Sequence, residues 1–151
     1  MFRLSFYYSF ILSLFFSCTD TPTTTENSSS TTGGSNSFIS LDFGSHTNTS
    51  VDMVINTSED ISGFQFDAVG ASITSASGGL AAEAGFTVST GGETVLGFSF
   101  TGSFIAAGSN GVLTTLFFEN LNSNICLEDV IFADSNALEL DINFIGDCIE
   151  Y

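Results

Sequence analysis

The sequence predicts an all-β domain, a sandwich of about nine strands with jelly-roll topology. Three observations carry that expectation. Apolar and polar residues alternate with period two in a series of short runs. Gly, Asn, Asp and Ser punctuate those runs at short spacing, while no proline follows Pro22. Phenylalanine is abundant, 17 residues in 151, and recurs two apart, as in Phe64/Phe66 and Phe98/Phe100.

The chain opens with an address. Arg3 and the α-amine precede an apolar run at residues 4–16, interrupted by Ser5, Ser9 and Ser13. That run is too short to cross a bilayer, which takes about 20 residues, and suits a secretory signal over residues 1–17. Ordinary signal peptidase would meet bulky Phe15 where it needs a small residue. Phe15-Phe16-Ser17-Cys18 instead resembles the lipobox of bacterial lipoproteins, which implies a lipidated Cys18. Plain secretion and an uncleaved anchor are the alternatives. Residues 18–37 follow as a Thr/Ser/Asn/Gly-rich tether with almost nothing apolar to bury. Its flexible stretch would reach roughly 25 Å and hold a domain clear of a membrane. The sequons at Asn27, Asn48 and Asn56 read as products of that Asn/Thr/Ser richness.

The domain is expected over residues 38–151. Residues 38–44 (FISLDFG) and 51–56 (VDMVIN) give the first two strands. In residues 61–73, Phe64, Phe66 and Ala68 fall on one face and Gln65, Asp67 and Val69 on the other. Residues 72–77 (SITSAS) run into Gly78-Gly79, and residues 80–84 read as a turn or one helical loop. Residues 86–90 (FTVST), Gly91-Gly92 and residues 93–100 (ETVLGFSF) read as a hairpin, with Leu96, Phe98 and Phe100 inward. Residues 112–120 (VLTTLFFEN) are apolar on both faces, which predicts a central strand. Residues 125–134 (ICLEDVIFAD) and 137–144 (ALELDINF) close the domain as one strand each. Cys126 and Cys148 form an even pair in an exported chain, which suggests a disulfide contributing about 3 kcal/mol. Two free, half-buried thiols are the alternative.

Charge narrows the partners. There are 17 Asp and Glu against one basic residue, Arg3, so the domain has no Lys or Arg. Nucleic acid is excluded, since phosphate binding needs cationic side chains. So is attachment to an anionic membrane through a basic patch, which leaves only a lipid anchor for membrane contact. A neutral or basic partner is favoured.

Catalytic signatures are weak. His46, the only histidine, lies in SHTNTS, expected to be a loop, with no nucleophile or positioned carboxylate in its motif. The pairs Glu59-Asp60 and Glu128-Asp129 are adjacent in sequence, and adjacent strand residues face opposite ways, so neither suits glycosidase geometry. The expected metal content is none, with calcium on Asp134, Asn136 and Asp141 as the one candidate. For sugar, the domain offers no Trp and only Tyr151. Its twelve phenylalanines are expected mostly inward, with Phe104 the foremost exposed exception.

Gly63-Phe64-Gln65-Phe66, then Phe98-Ser99-Phe100, then Gly111-Val112-Leu113 through Phe117-Phe118, and finally Asp134-Ser135-Asn136 resemble the motifs of cohesin domains. These are the sandwich modules of bacterial cellulosomes. The resemblance spans residues 38–143. It implies a non-catalytic recognition module that meets a dockerin-like protein, or a polysaccharide within a degradative system, through a sheet face to which Gln65 and Asp67 would contribute. Such a module would sit on the cell envelope, at the outer membrane or cell surface. A structural or adhesive surface protein is the alternative function.

Overall fold

Period-two burial organises the chain into two sheets. The computed structural model describes residues 37–119 and 124–151; the expected signal at 1–17, Cys18 and the tether up to residue 36 lie outside the described residues. One sheet runs β10-β1-β2-β7-β4, built from β1 (Ile39–Thr47), β2 (Ser50–Thr57), β4 (Ser72–Ser77), β7 (Asn110–Glu119) and β10 (Phe144–Ile145). The other runs β11-β8-β3-β6-β5, built from β3 (Gly63–Val69), β5 (Thr87–Gly91), β6 (Thr94–Phe98), β8 (Asn124–Ala133) and β11 (Ile149–Glu150). A further short strand, β9 (Glu139–Leu140), pairs with β8. One five-residue helix, α1 (Gly79–Glu83), follows β4.

The two inner faces share one core. Ile39, Leu41, Val51, Met53 and Ile55 come from the first sheet, and Phe64, Phe66, Val95, Ile125 and Phe132 from the second. The Phe64 ring anchors it, stacked on Phe66 at 6.1 Å and Phe86 at 6.0 Å and tilted against Phe132 at 6.4 Å. A bulge on β7 at Leu113 allows consecutive Leu113 and Thr114 both to be buried. The Thr114 hydroxyl donates to the Ser77 carbonyl at 3.3 Å. As expected, β7 is interior to its sheet, between β2 and β4.

Several expectations need correction. The described chain has eleven strands rather than about nine, because the closing residues break into short pieces. Residues 137–144 are not one strand: β9 adds to β8, while β10 runs parallel to β1 in the opposite sheet. On β6 the faces are reversed. Val95 and Gly97 are buried, Leu96 and Phe98 lie on the outer side, and Phe100 is past the strand and 81% exposed. The cause is Phe64, which sits opposite Gly97 and lays its ring in the space a side chain there would fill. Phenylalanine is therefore not mostly inward. Five of the twelve are buried, and Phe38, Phe100, Phe104, Phe117 and Phe144 are exposed. His46 is in β1 rather than a loop, its ring 5.0 Å from that of Tyr151.

The expected disulfide is present between Cys126 and Cys148. It ties the last residues to the start of β8, where β11 adds as an antiparallel strand with Ile149 opposite Ile125. Among the described residues no helix is long and apolar enough to cross a membrane.

Candidate binding face

Strand pairing sets three rows of side chains across the outer face of the second sheet. Neighbours in a row are about 4.8 Å apart and successive same-face positions about 6.8 Å. In the central row Gln65 stands between Ile131 of β8 and Leu96 of β6, and Ser89 of β5 lies beyond Leu96. The row toward the hairpin turn is Glu128, Asp67, Thr94 and Gly91. The row toward the other strand ends is Ala133, Gly63, Phe98 and Thr87.

The face is graded in chemistry. Glu128 and Asp67 place two carboxylates directly opposite each other on neighbouring strands, an arrangement that costs stability. No Lys or Arg exists in the domain to offset it. The centre offers the Gln65 amide between two half-buried aliphatic side chains. At the far row Gly63 and Ala133 leave low relief beside Phe98, whose ring packs edge-on against Phe100 at 4.7 Å.

A backbone irregularity joins these parts. Glu128 and Ile131 are three residues apart, so in a regular strand they would face opposite ways. A bulge at Asp129 and Val130, with Asp129 at φ 48°, sets two residues opposite Phe66 and brings Glu128 and Ile131 to the same side. It also leaves Glu128 and Asp129 both exposed, contrary to the alternation expected of them. Gln65 and Asp67 do share this outer face, as the sequence indicated. Leu96, Phe98 and Ile131 were missed there, and the glycine between Leu96 and Phe98 was the available signal.

The other candidate residues stand apart from this face. Asp134 Oδ1 accepts from the Asn136 and Leu138 amides at 2.8 and 2.9 Å, and its Oδ2 accepts from Asn136 Nδ2 at 3.1 Å. The Leu138 amide first, then the Asn136 side chain, hold the Asp134 carboxyl below its ordinary value of 3.8. Asn136 thus meets Asp134 as a donor, and both Asp134 oxygens accept hydrogen bonds that close a turn. Among the described residues no three His, Cys, Asp or Glu side chains gather as a metal site. Asp60 is likewise committed, accepting from the Ala107 amide at 2.7 Å. Tyr151 is packed against Phe118 as well as His46, at 5.8 Å, and burial pushes its phenol above 10.0.

No protein-family model matches the chain, and no curated protein matches it. The solved structures that resemble it are cohesin modules. A non-cellulosomal cohesin from the hyperthermophilic archaeon Archaeoglobus fulgidus shares 15% identity at a TM-score of 0.49, over 73% of this chain and 87% of its own. The sixth cohesin of Acetivibrio cellulolyticus scaffoldin B, solved with a mutant Cel5 dockerin, shares 19% identity at a TM-score of 0.49, over 76% of this chain and 97% of its own. A type I cohesin–dockerin complex from Clostridium thermocellum gives 11% identity and a TM-score of 0.47, over 74% of this chain and 89% of that one.

Proposed function

We propose that the protein is an exported, non-catalytic recognition module, anchored at Cys18 and held off the envelope by residues 18–37. It binds a partner protein through the outer face of the β11-β8-β3-β6-β5 sheet. The cohesin-like motifs of the sequence imply recognition through a sheet face. One observation carries the assignment to this face: Gln65 stands between Leu96 and Ile131, with Glu128 and Asp67 beside them, on a bulge-adjusted surface. A half-buried apolar centre with a polar handle and a charged border is the anatomy of a protein interface. The unneutralised Glu128–Asp67 pair selects a partner with a neutral or basic rim at that end.

Polysaccharide recognition has less behind it. The domain has no Trp, and its single tyrosine, Tyr151, stands at one end of the sandwich with its ring against Phe118 and His46.

The test is affinity capture from the source organism with two variants run in parallel. Leu96→Arg places a charge at the centre of the face, whereas Asn56→Arg places one on the opposite sheet, where Asn56 is exposed. One stoichiometric partner is expected to be retained by the wild type and by Asn56→Arg, and lost at least tenfold by Leu96→Arg, the effect of charging a desolvated centre. Equal retention by all three would reject this face. No partner at all, with abundant surface copies, would favour the structural or adhesive alternative.

A further inference from the structure

Most of the exposed large apolar residues gather at one end, while Phe117 lies on a sheet face and Tyr151 at the opposite end. Phe38 precedes β1, and its amide is bound by the Ser58 hydroxyl at 2.7 Å. The loop after β2 is joined to the loop before β7 by the Ile61–Ile105 bridge and by the Asp60 bond to Ala107. It is joined to the end of β8 by the Ser62 amide on the Ala133 carbonyl at 2.8 Å. These bonds gather one end of the sandwich: residue 38, the loops at 58–62, 99–109 and 134–138, and residues 143–144, where the Asn143 amide meets the Ile39 carbonyl. On that end Phe38, Phe100, Phe104, Leu138 and Phe144 are 41%, 81%, 49%, 63% and 49% exposed. The opposite end carries the hairpin turn at Glu93, the disulfide and Tyr151.

Rings so exposed are held out by local structure. Ser99, Thr101 and Ser103 hydrogen-bond to one another, with hydroxyl contacts of 3.1 and 2.9 Å, and the Ser103 amide returns to Ser99 Oγ at 3.1 Å. Gly102, at φ 73°, allows the tight reversal. The loop therefore spends its polar groups internally and points Phe100 at its tip. Asp60 and Asp134, two of the acids in the neighbouring loops, have their carboxylates occupied by loop amides, while Glu59 lies beside Asp60 and Glu139 follows Leu138. This end thus presents apolar rings on loops whose polar groups are mostly satisfied internally, with Glu59 and Glu139 at its border.

The polypeptide outside the described unit supplies the occupant. Residues 1–36 join the domain at this same end, through Phe38. The composition of the stretch after Cys18 predicts a polar tether of roughly 25 Å, and with Cys18 anchored such a tether would keep this end closest to the bilayer. We propose that the loop end bearing Phe38, Phe100, Phe104 and Leu138 docks on the lipid surface to which the chain is anchored, inserting its rings at the headgroup–acyl boundary. This rests on the anchored display proposed above. Shallow insertion of exposed apolar side chains binds in proportion to the apolar area it buries, and a tether that holds the surface nearby raises it further. With no Lys or Arg in the domain, the contact is apolar and suits zwitterionic lipid, while an anionic surface repels the domain. The recognising sheet face runs along the strands rather than across their ends, so docking at the end leaves its Gln65 and Asp67 rows free and meets it only where Phe100 packs on Phe98.

Vesicle flotation tests the contact directly. The fragment of residues 37–151 contains the whole described core and lacks Cys18, so an acyl chain cannot bring it to lipid. It is expected to float with phosphatidylcholine vesicles, with little change between low and high salt. Replacing both Phe100→Ser and Phe104→Ser should weaken partition about tenfold for each ring removed. Phe117→Ser, an exposed ring on the outer face of the other sheet, should partition like wild type, and circular dichroism should be the same for all three. Failure of the wild type to float, or equal loss in Phe117→Ser, would overturn the proposal. So would a self-association that the double variant abolishes, which would assign the rings to a second copy. The mass of the exported full chain separately reports Cys18. An acylated Cys18 with no vesicle binding removes the docking end alone, whereas unmodified Cys18 with vesicle binding removes the anchor alone.

Discussion

Gly97 decides which way β6 faces. Its neighbours Leu96 and Phe98 invite an inward reading, because apolar residues two apart mark a buried face. The buried position is the glycine between them, since the core needs room there for the Phe64 ring. A single strand cannot reveal this, because the missing side chain is filled from β3. Phe64, Phe66 and Ala68 were legible because β3 supplies its own apolar side chain to every inward place. The Gly97→Ala variant tests the fit. An added methyl would overlap a ring already stacked on Phe66 and Phe86, so the cost should be about 1–3 kcal/mol, the range for overpacking a core. Urea unfolding would show it as a lower midpoint at unchanged slope. An unchanged midpoint would mean that Phe64 does not fill the place of that side chain.

Among elements, the strands closed by short turns were readable and the C-terminal strap was not. The β5–β6 hairpin announces itself with Gly91-Gly92-Glu93, and Gly92 takes φ 70° at the turn. Residues 137–144 alternate well enough to suggest a strand, yet residues 137–151 divide among three short pairings in two sheets. What holds them is long-range: β10 on β1, β11 on β8, and the Cys126–Cys148 bond. The bulge at Asp129, which completes the candidate face, is equally hidden, because it depends on what β3 sets opposite it. The disulfide closes a loop with a sequence separation of 22, so reduction should lower stability by about 3 kcal/mol. Tyr151 reports the strap, being the only tyrosine of residues 37–151. Burial raises its phenol above 10.0 in the folded chain. The matching stability is therefore fully present below pH 10.0 and is lost as pH rises through the folded value. Ultraviolet titration of the oxidised fragment should give a midpoint above 10.0, and urea-unfolded fragment should return to it. Coincident midpoints in the two states would place Tyr151 in solvent.

At the scale of the whole molecule, one charge sign has to be accommodated without a partner. Residues 37–151 carry fifteen Asp and Glu, one His and no Lys or Arg. Folding concentrates these carboxylates, and Glu128 facing Asp67 is the sharpest instance. A few are stabilised locally, as Asp134 is by the Asn136 and Leu138 amides, but most stand at the surface and repel. Apolar packing, the backbone ladders and the disulfide must hold the fold against that repulsion. Salt weakens repulsion between exposed charges, with a screening length near 30 Å at 0.01 M and about 3 Å at 1 M. Ion pairs between side chains, which salt would weaken in most proteins, could involve no cation but His46 in residues 37–151. The melting temperature of the 37–151 fragment should therefore rise with sodium chloride across that range. A gain of about 1 kcal/mol corresponds to about 4 °C for a domain of this size. Most of the rise should come at the low-salt end, where the screening length still exceeds the spacing of same-face positions on a sheet. A melting temperature that falls with added salt would mean that attractive charge contacts dominate, and a flat response would mean that the carboxylates are too far apart to matter.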